Sequence, residues 1–344
     1  METVTENTPP VKQTAKDFIS DQEVKWCPGC GDYSILKQVQ TVLPTFDIGL
    51  EKYVFVSGIG CSSRFPYYMA TYGMHSIHGR ATAIASGVKV ANPELNVWVV
   101  GGDGDMLSIG GNHFIHILRR NPNIKLMLFN NEIYGLTKGQ YSPTSPKGTT
   151  AKSTPYGSVD EPFNPAELAL GAKSTFFART LDRDPKHMQT MIQRANGHHG
   201  TAMVEIYQNC PVFNVGAFFM FTDKETKKEE AFFLEQGKPL VFGENESKGI
   251  KLDGLKPVIV ELGNGVSKDD LWIHDEKDKS KAFILAGFAD NRETHFPRAF
   301  GVYYQENRSC IEDDIANQIT VAKEKKGKTP LNKILSGDKT WIIS

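Results

Sequence analysis

The sequence predicts an α/β protein built on a mostly parallel sheet with helices on both faces. From about Gly31 to Tyr207, helical and strand patterns alternate along the chain, which is typical of such a sheet. Several short apolar runs end directly in glycine-rich or polar loops, as strands of a ligand-binding parallel sheet do. With 40% hydrophobic and 23% charged residues, the chain of 344 residues can bury one large core or two smaller ones.

The first predicted elements are a helix, a strand and a second helix. The stretch SILKQVQTVL places its apolar residues on one helical face, and Pro44 ends this helix. The strand YVFVS, from Tyr53 to Ser57, runs into the glycine turn GIGCSSR. A helix of small residues follows across ATAIASGVKVA and ends at Asn92-Pro93. This order is the beginning of a repeating βα pattern.

The pattern continues through four further strands. VWVV enters GGDGD, a helix runs to roughly Arg120, and IKLMLF enters NNEIYG. The long loop that follows, GLTKGQYSPTSPKGTTAKSTPYGS, is rich in turn-forming residues, and loops of this length are usually functional. Asn164-Pro165 begins the next helix, with a capping Asn and Pro at the first helical position. The strands STFFAR and AMVEIY flank a last helix from about Asp184 to Gly200.

The composition changes after Phe221, where the charged stretches TDKETKKEE and HDEKDKSK separate short apolar runs. We therefore predict three parts, and we expect the last of them to be peripheral. They are an N-terminal arm of residues 1–25, an α/β domain of residues 26–220 and a charged C-terminal extension of residues 221–344.

Charge and targeting signals exclude several classes of protein. A net charge of -1 gives no basic excess, so neither nucleic acid nor an anionic membrane is expected as a partner. The first twenty residues lack the pattern of a signal peptide, and no apolar run approaches a membrane span. We expect a cytoplasmic protein. Disulfides are rare there, so metal ligation or catalysis is the better explanation for Cys27 and Cys30 in CPGC.

The most informative motif is GDGD followed by NN. One strand ends at Asp103, the next ends at Asn130-Asn131, and 25 residues separate Gly104 from Asn130. In a right-handed βαβ unit both loops emerge at the carboxyl edge of the sheet. Asp103 and Asn131 offer oxygen ligands for Mg²⁺, and the backbone N–H groups around Gly104 suit a diphosphate. This is the thiamine diphosphate signature; the alternative is an ordinary glycine turn with a helix cap.

Together with CPGCGD, GIGCSSR, HSIHGRATAIASGVKVANP and YGLTKGQYSPTS, this motif resembles the β subunit of the 2-oxoacid:ferredoxin oxidoreductases, over about residues 26–213. Members of that family use thiamine diphosphate, Mg²⁺ and a 4Fe–4S cluster to convert a 2-oxoacid and coenzyme A into acyl-CoA and CO₂, with electrons passed to ferredoxin. The resemblance implies a thiamine diphosphate-binding fold and a separate α subunit, in a heterodimer or α2β2 complex, that carries the pyrimidine-side domain. It also implies a reaction that can run in reverse as a 2-oxoacid synthase.

The resemblance implies specific site residues. Asp103, Asn131 and the backbone carbonyl of Ile133 match the Mg²⁺ ligands, and His78 matches a residue that assists proton movement or phosphate binding. A buried, hydrogen-bonded histidine is the alternative for His78. The full set of implied cofactor contacts is Ile59, Gly60, Cys61, Ser62, His78, Gly79, Gly102, Asp103, Gly104, Asp105, Asn131, Ile133, Gly135, Leu136 and Thr137.

By the same resemblance, the cluster ligands are Cys27, Cys30, Cys61 and Cys210. The residues themselves agree, because Cys61 and Cys210 each follow a predicted strand and should reach the same edge of the sheet. Cys27 and Cys30 lie before a helix start, whose dipole favours thiolates. Structural zinc is the alternative, although zinc sites more often pair two local cysteine knuckles. Cys310 is left over.

Lys138 in YGLTKGQ is the residue we expect to select the substrate. A cation there can pair with the second carboxylate of 2-oxoglutarate, whereas the pyruvate-type relatives tend to have a small residue. A solvated lysine or a phosphate contact is the alternative. Arg64 is a weaker candidate for an anion contact, with a structural ion pair as its alternative. The pair His198-His199 is explained by favourable charge at a helix end.

The predicted function is therefore the oxidative decarboxylation of 2-oxoglutarate to succinyl-CoA. A pyruvate or broad-range oxidoreductase is the first alternative. A non-redox thiamine enzyme with structural zinc is the second, since it needs GDGD and NN without the cysteines. The third, from another class, is a zinc-stabilised interaction protein without catalysis.

Overall fold

The computed structural model describes residues 13–263, 265–290, 294–327, 329–341 and 343, in which thirteen strands and ten α-helices occur. The strands are β1 Tyr53–Ser57, β2 Tyr72–His75, β3 Asn96–Gly102, β4 Ile124–Asn130, β5 Ile133–Tyr134, β6 Gln140–Tyr141, β7 Phe176–Leu181, β8 Ala202–Tyr207, β9 Ala231–Phe233, β10 Val241–Phe242, β11 Lys248–Asp253, β12 Lys256–Glu261 and β13 Arg298–Gln305. The helices are α1 Gly31–Val42, α2 Ala81–Ala91, α3 Asp103–Leu107, α4 Gly111–Arg120, α5 Pro165–Gly171, α6 Pro185–Gly197, α7 Lys227–Glu230, α8 Lys279–Ala286, α9 Ile311–Lys326 and α10 Leu331–Ser336.

Eight strands form the main sheet, in the order β2-β1-β3-β4-β8-β7-β13-β9. The first six run parallel to one another, whereas β13 is antiparallel to β7 and β9 is parallel to β13. Every residue of β4, β7 and β8 is buried, as expected for parallel strands covered on both faces. The prediction of a mostly parallel sheet is confirmed.

Helices cover both faces of this sheet and form two hydrophobic cores. The first core joins α2, α4, α5 and α8 to inward residues such as Val99 and Leu126. The second core joins α1 and α6 to the strand residues that alternate with those of the first core, such as Trp98 and Met127. Because successive strand residues point to opposite faces, each strand contributes to both cores.

One predicted helix is divided. The segment from GDGD to Arg120 forms α3 and α4, which are separated by a turn at Ser108–Gly110. At this turn the chain passes close to the HSIHGR loop, since a Cβ atom added to Gly110 would lie 2.5 Å from the carbonyl oxygen of Asp105 and 3.0 Å from the Cα of Gly79. The close approach requires the break, and it brings Gly79 against Asp105.

The predicted N-terminal arm falls only partly within the described residues, because residues 1–12 lie outside them. From residue 13 the arm packs on the α/β domain. Phe18 is fully buried, and its ring lies 5.6 Å from that of Tyr53 in an edge-on contact. Among the described residues there is no helix with the length and apolar character needed to cross a membrane.

Part of the predicted C-terminal extension belongs to the main sheet. Strands β9 and β13 form its last two positions, and their buried residues Phe232, Ala299 and Tyr303 lie in the first core. The prediction that this segment is peripheral is therefore wrong for these strands. The charged stretches lie in the connections, whereas the short apolar runs between them supply the strands. The domain limits stay a prediction.

Substitution of the fully buried Phe300 tests how much β13 contributes to the stability of the protein. Its ring contacts those of Tyr207 and Phe221 at centroid distances of 5.8 and 5.6 Å. We expect Phe300→Ala to lower the free energy of unfolding by about 3–5 kcal/mol in chemical denaturation, because it removes a buried ring and leaves a cavity. Phe283→Ala, at a position with 40% exposure, is the control. Equal losses for the two variants would contradict the prediction.

Candidate functional site

The candidate site lies at the carboxyl edge of the parallel strands. The loops after β1, β3, β4 and β8 contain GIGC, GDGD, NNEIYG and QNC, and these four strands are consecutive in the sheet. The prediction that these motifs meet at one edge is confirmed. The site is built from four loops whose starting points are fixed by a rigid sheet.

Asp105 joins two of these loops to a third segment. Its Oδ1 accepts hydrogen bonds from the backbone N–H of Ile59, at 3.0 Å, and of Gly79, at 2.8 Å. The same oxygen lies 2.9 Å from Nδ1 of His78. A carboxylate only accepts, so Nδ1 donates here, and Nε2 of His78 is the ring nitrogen left without a contact to Asp105. The second oxygen of Asp105 is buried and has no hydrogen-bond partner among the described residues.

The backbone of GDG packs closely against the loops after β1 and β4. A Cβ atom on Gly104 would lie 2.2 Å from the ring of Tyr134, whose hydroxyl donates to the Gly104 carbonyl at 3.1 Å. Position 104 therefore requires glycine. At Gly102 a Cβ atom would lie 3.5 Å from Oγ of Ser62, which is ordinary van der Waals contact.

Asp103 is buried beneath the long loop. Its Oδ2 accepts hydrogen bonds from the hydroxyl groups of Ser142 and Thr144. Burial raises the pKa of Asp103, and the two hydroxyl groups counteract this by stabilising the carboxylate. The motif YSPTS alone gives Ser142 and Thr144 no role. They lie 39 and 41 positions from Asp103, so the sequence does not indicate that they contact it.

Asn130 connects this carboxylate to the interior of the sheet. The hydroxyl of Thr144 lies 2.6 Å from Asp103 Oδ2 and 2.9 Å from Asn130 Oδ1. Asn130 Nδ2 donates to Glu205 Oε1 at 2.8 Å. The first Asn of NN therefore points into the sheet, where it supports the loop.

Glu205 is also one half of a buried ion pair. Arg179 Nε donates to Glu205 Oε2 at 2.7 Å, and Arg179 Nη1 donates to the hydroxyl of Tyr303 on β13 at 2.6 Å. The two charged side chains are 1% and 0% exposed. Sequence analysis missed both residues, because charged residues within strands carry no local sign of burial.

Asn131, the second Asn of NN, faces the cysteines. Its Nδ2 donates to Gln208 Oε1 at 2.8 Å, and its Oδ1 accepts from the backbone N–H of Ile133 at 3.1 Å. Gln208 Nε2 in turn lies 3.3 Å from the sulfur of Cys30. One glutamine thus links the NN loop to the CPGC segment.

Four cysteines converge beside these loops. A Cβ atom on Gly135 would lie 3.4 Å from the sulfur of Cys61 and 3.8 Å from that of Cys210. Burial, and to a smaller extent the charges of nearby groups that include Cys61 and Cys210, raises the pKa of the Cys30 thiol. Burial is also the main cause that raises the pKa of Cys61 to about 11, with Cys27 among the neighbours that contribute. Four thiols in this arrangement can hold an iron–sulfur cluster or a metal ion.

The YGLTKGQ loop is more exposed than the other three. The Thr137 hydroxyl donates to Gln140 Oε1 at 2.6 Å, and Leu136 is exposed. Lys138 has a φ of 78°, a conformation that strains residues other than glycine. Its exposed side chain makes no ion pair or hydrogen bond within the described chain. A free cation is therefore available at this edge.

Arg64 lines a cleft of about 640 Å³ together with Gly60 and Leu136. Its Nη1 donates to the carbonyl oxygen of Lys25 at 3.3 Å, and no carboxylate of the described residues pairs with it. The structural ion pair considered as the alternative for Arg64 is absent from this part of the chain.

His198 and His199 lie at the opposite edge of the sheet, before β8. His198 is buried, with Nε2 2.9 Å from the Thr175 hydroxyl, and burial lowers its pKa to about 4. It is uncharged at neutral pH, so the explanation by charge at a helix end is wrong for His198. The exposed His199 instead lies 3.0 Å from Oδ2 of Asp313.

Comparison with known proteins identifies the family. The family described as "Thiamine pyrophosphate enzyme, C-terminal TPP binding domain" matches residues 58–206. The chain is 48% identical over 335 residues to 2-oxoglutarate oxidoreductase subunit KorB of Mycobacterium tuberculosis. This match covers 96% of this chain and 89% of that protein. The chain belongs to the 2-oxoacid:ferredoxin oxidoreductase β-subunit family.

Further relatives of this β subunit agree. It is 44% identical over 198 residues to 2-oxoacid:ferredoxin oxidoreductase 2, subunit beta, of Aeropyrum pernix, a match that covers 58% of this chain and 64% of that protein. A solved 2-oxoglutarate:ferredoxin oxidoreductase from Magnetococcus marinus has a chain that matches with a TM-score of 0.74 and 33% identity, over 95% of this chain and 97% of that one. The resemblance inferred from the motifs is confirmed, and so is the thiamine diphosphate-binding fold.

Glu205→Gln tests the buried ion pair of this β subunit. The substitution leaves the Arg179 charge unpaired in the interior, so we expect the free energy of unfolding to fall by about 3–5 kcal/mol. Glu94→Gln is the control, because Glu94 forms an exposed pair with Lys52 at 2.9 Å, and the loss of such a pair should change stability little. Chemical denaturation measures both. A loss at Glu205 no larger than that at Glu94 would rule out a structural role for the buried pair.

Proposed function

We propose that this chain is the β subunit of a 2-oxoglutarate:ferredoxin oxidoreductase, which converts 2-oxoglutarate and coenzyme A into succinyl-CoA and CO₂ and passes electrons to ferredoxin. The observation that carries the proposal is the meeting of the GDGD and NN loops with four cysteines at one sheet edge. The names of the relatives support the same substrate. The M. tuberculosis relative is called a 2-oxoglutarate oxidoreductase subunit, and the M. marinus structure has 2-oxoglutarate, coenzyme A and succinyl-CoA bound.

The residues at GDGD and NN fit thiamine diphosphate and Mg²⁺. Asp103, Asn131 and the carbonyl oxygen of Ile133 would hold the metal ion, since all three offer the oxygen ligands that Mg²⁺ prefers. The backbone N–H groups around Gly102 and Gly104 lie at the start of α3, where they can donate to a diphosphate. When bound, the thiamine cofactor supplies the carbanion chemistry that releases CO₂, and an iron–sulfur cluster supplies one-electron transfer. The further proposed contacts are Ile59, Gly60, Ser62, His78, Gly79, Asp105, Gly135, Leu136 and Thr137.

His78 is the proposed proton carrier at this edge. The Asp105 carboxylate fixes its ring by accepting from Nδ1, so Nε2 is the atom that takes up or delivers a proton. The same carboxylate accepts from the backbone N–H groups of Ile59 and Gly79, so it fixes the position of the imidazole relative to the GIGC loop.

Cys27, Cys30, Cys61 and Cys210 are the proposed cluster ligands. The origin of these cysteines supports a cluster over zinc. Zinc sites more often pair two local cysteine knuckles, whereas here only Cys27 and Cys30 form one, and Cys61 and Cys210 follow two different strands. Four thiolates at one edge can instead hold an iron–sulfur cluster.

An α subunit completes the proposed enzyme. The relative from A. pernix is named a β subunit, and thiamine enzymes usually activate the cofactor with a carboxylate from a second domain. The edge strand β2 and the loop after it expose large apolar side chains beside the site, at Tyr72, Met74 and Ile77. An exposed apolar patch of this kind indicates a protein interface.

Lys138 is the proposed substrate-selecting residue. Its ammonium group has no partner in the described chain, and its backbone has a positive φ of 78°, which is unfavourable for lysine and is typical of functional sites. An unpaired cation at the cofactor edge can bind the distal carboxylate of 2-oxoglutarate, which pyruvate lacks.

Iron analysis tests the cluster. In the complex co-produced with its α subunit and purified without oxygen, we expect Cys61→Ser and Cys210→Ser each to lower the iron content by about four atoms per β chain, with a matching loss of acid-labile sulfide. Cys310→Ser is the matched control and should keep the iron. If the wild-type protein holds zinc instead of iron at these cysteines, a non-redox thiamine enzyme explains the site better than an oxidoreductase does.

Lys138→Gly tests the substrate. The positive φ suits glycine, so this change removes the cation without adding strain. We expect the ratio of kcat/KM for 2-oxoglutarate to that for pyruvate to fall about tenfold or more, the equivalent of one lost charged hydrogen bond. Lys173→Gly is the matched control, since Lys173 is also an exposed lysine with positive φ, at 64°, outside the site. An unchanged ratio would remove Lys138 from the proposal, and a wild-type preference for pyruvate would favour the alternative oxidoreductase.

A further inference from the structure

A second group of metal-ligating side chains lies away from the cofactor edge. His199, Cys310 and Asp313 each offer one ligand atom, and these atoms all lie within 4.8 Å of one another. His199 precedes the start of β8, whereas Cys210 follows its end. Six strand residues at about 3.3 Å each place the two groups roughly 20 Å apart. The group is therefore separate from the four cysteines proposed as cluster ligands.

Two distant parts of the chain supply these ligands. His199 lies in the turn between α6 and β8, while Cys310 is the residue that caps α9 and Asp313 lies in the first turn of that helix. Nε2 of His199 and Oδ2 of Asp313 are 3.0 Å apart. The fold thus brings an imidazole, a thiol and a carboxylate from segments more than a hundred residues apart in sequence to one point.

The donor set matches one class of metal ion. Zn²⁺ binds thiolate sulfur, imidazole nitrogen and carboxylate oxygen together, whereas Mg²⁺ and Ca²⁺ take oxygen ligands only. The side chains of His199 and Asp313 are 63% and 54% exposed, so an ion can reach the group from solvent. Cys310 is fully buried behind them. The arrangement gives three protein ligands and leaves a fourth position for water.

Glu312, next to Asp313 in sequence, carries a buried oxygen without a hydrogen-bond partner among the described residues. One oxygen of its buried side chain accepts from the backbone N–H of Asn123 at 2.9 Å, while the other has no partner among the described residues. Its charge acts directly on the Cys310 thiol. Burying a carboxylate oxygen without a partner is costly, and a cation bound at the neighbouring ligands would reduce this cost.

Two lysines lie within electrostatic reach of both Cys310 and Glu312, but their hydrogen bonds go to other groups. Lys89 Nζ donates to the carbonyl oxygens of Pro93 and Leu95, at 2.6 and 2.8 Å. Lys125 Nζ donates to Asn123 Oδ1 at 2.7 Å. Neither contributes a hydrogen bond to the free oxygen of Glu312.

We propose that His199, Cys310 and Asp313 bind a zinc ion that fastens the start of α9 to the turn between α6 and β8. Glu312 provides additional negative charge behind the ligands. The ion would hold the C-terminal segment against the α/β domain at the edge opposite the cofactor, so its role is structural.

Metal analysis of the complex with its α subunit tests this proposal. The protein is incubated with zinc chloride, dialysed into zinc-free buffer and analysed for zinc and iron in the same sample. We expect about one zinc per β chain in the wild type, none above background in His199→Gln and Cys310→Ser, and the same iron content in all three. Because iron is counted separately, loss of the cluster is distinguished from loss of this site.

His295→Gln is the matched control. His295 is another exposed histidine, 2.6 Å from a carboxylate oxygen of Glu230, but it has no cysteine in ligand distance within the described residues. The His295→Gln variant should bind as much zinc as the wild type. Zinc should also raise the Tm of the wild type and of His295→Gln but not that of His199→Gln. Because His199 is exposed, its substitution still tests the site if Cys310→Ser folds poorly. Equal zinc content in His199→Gln and the wild type, or wild-type protein that binds no zinc and shows no shift, would overturn the proposal.

Discussion

Arg179 and Glu205 form an ion pair inside the sheet, with both side chains almost completely removed from water. Such a pair is tolerated only if its remaining donors and acceptors are satisfied, because both charges lose their hydration. Here the second oxygen of Glu205 accepts from Asn130, and Arg179 donates to Tyr303. The contacts tie β4, β7, β8 and β13 together at one level of the sheet. The register of these strands is therefore fixed by charge as well as by backbone pairing.

The ion pair also determines where the cofactor loops begin. Asn130 is held by Glu205, and the Thr144 hydroxyl links Asn130 to Asp103. On the other side of GDG, Asp105 holds the backbone of Ile59 and the ring of His78. Two buried carboxylates two residues apart thus orient the loops from opposite sides. The side chains proposed as cofactor contacts are therefore held in place by hydrogen bonds of the protein itself, which is the arrangement that a precise site requires.

The sequence predicts the parts of this arrangement that depend on local pattern. The meeting of GDGD, NN, Cys61 and Cys210 at one edge follows from hydrophobic periodicity and from the rule that parallel strands end at the same edge. The partners of Asp103 and Glu205 do not follow, because they are set by contacts between distant residues. Tyr303 lies 124 positions from Arg179, and nothing near either residue indicates the other. The same reason explains why β13 was assigned to a peripheral extension.

The position of β13 has a consequence for the order in which the protein can fold during synthesis. The segment that carries the thiamine-binding motifs is complete once β8 has left the ribosome, but at that time β7 is still an open edge strand and Arg179 lacks its tyrosine partner. Unpaired edges and unsatisfied buried charges make nascent chains prone to aggregation. The nascent β subunit therefore needs almost a hundred further residues before its catalytic half becomes a closed unit, and this delay is an interval in which a chaperone or the α subunit can protect it.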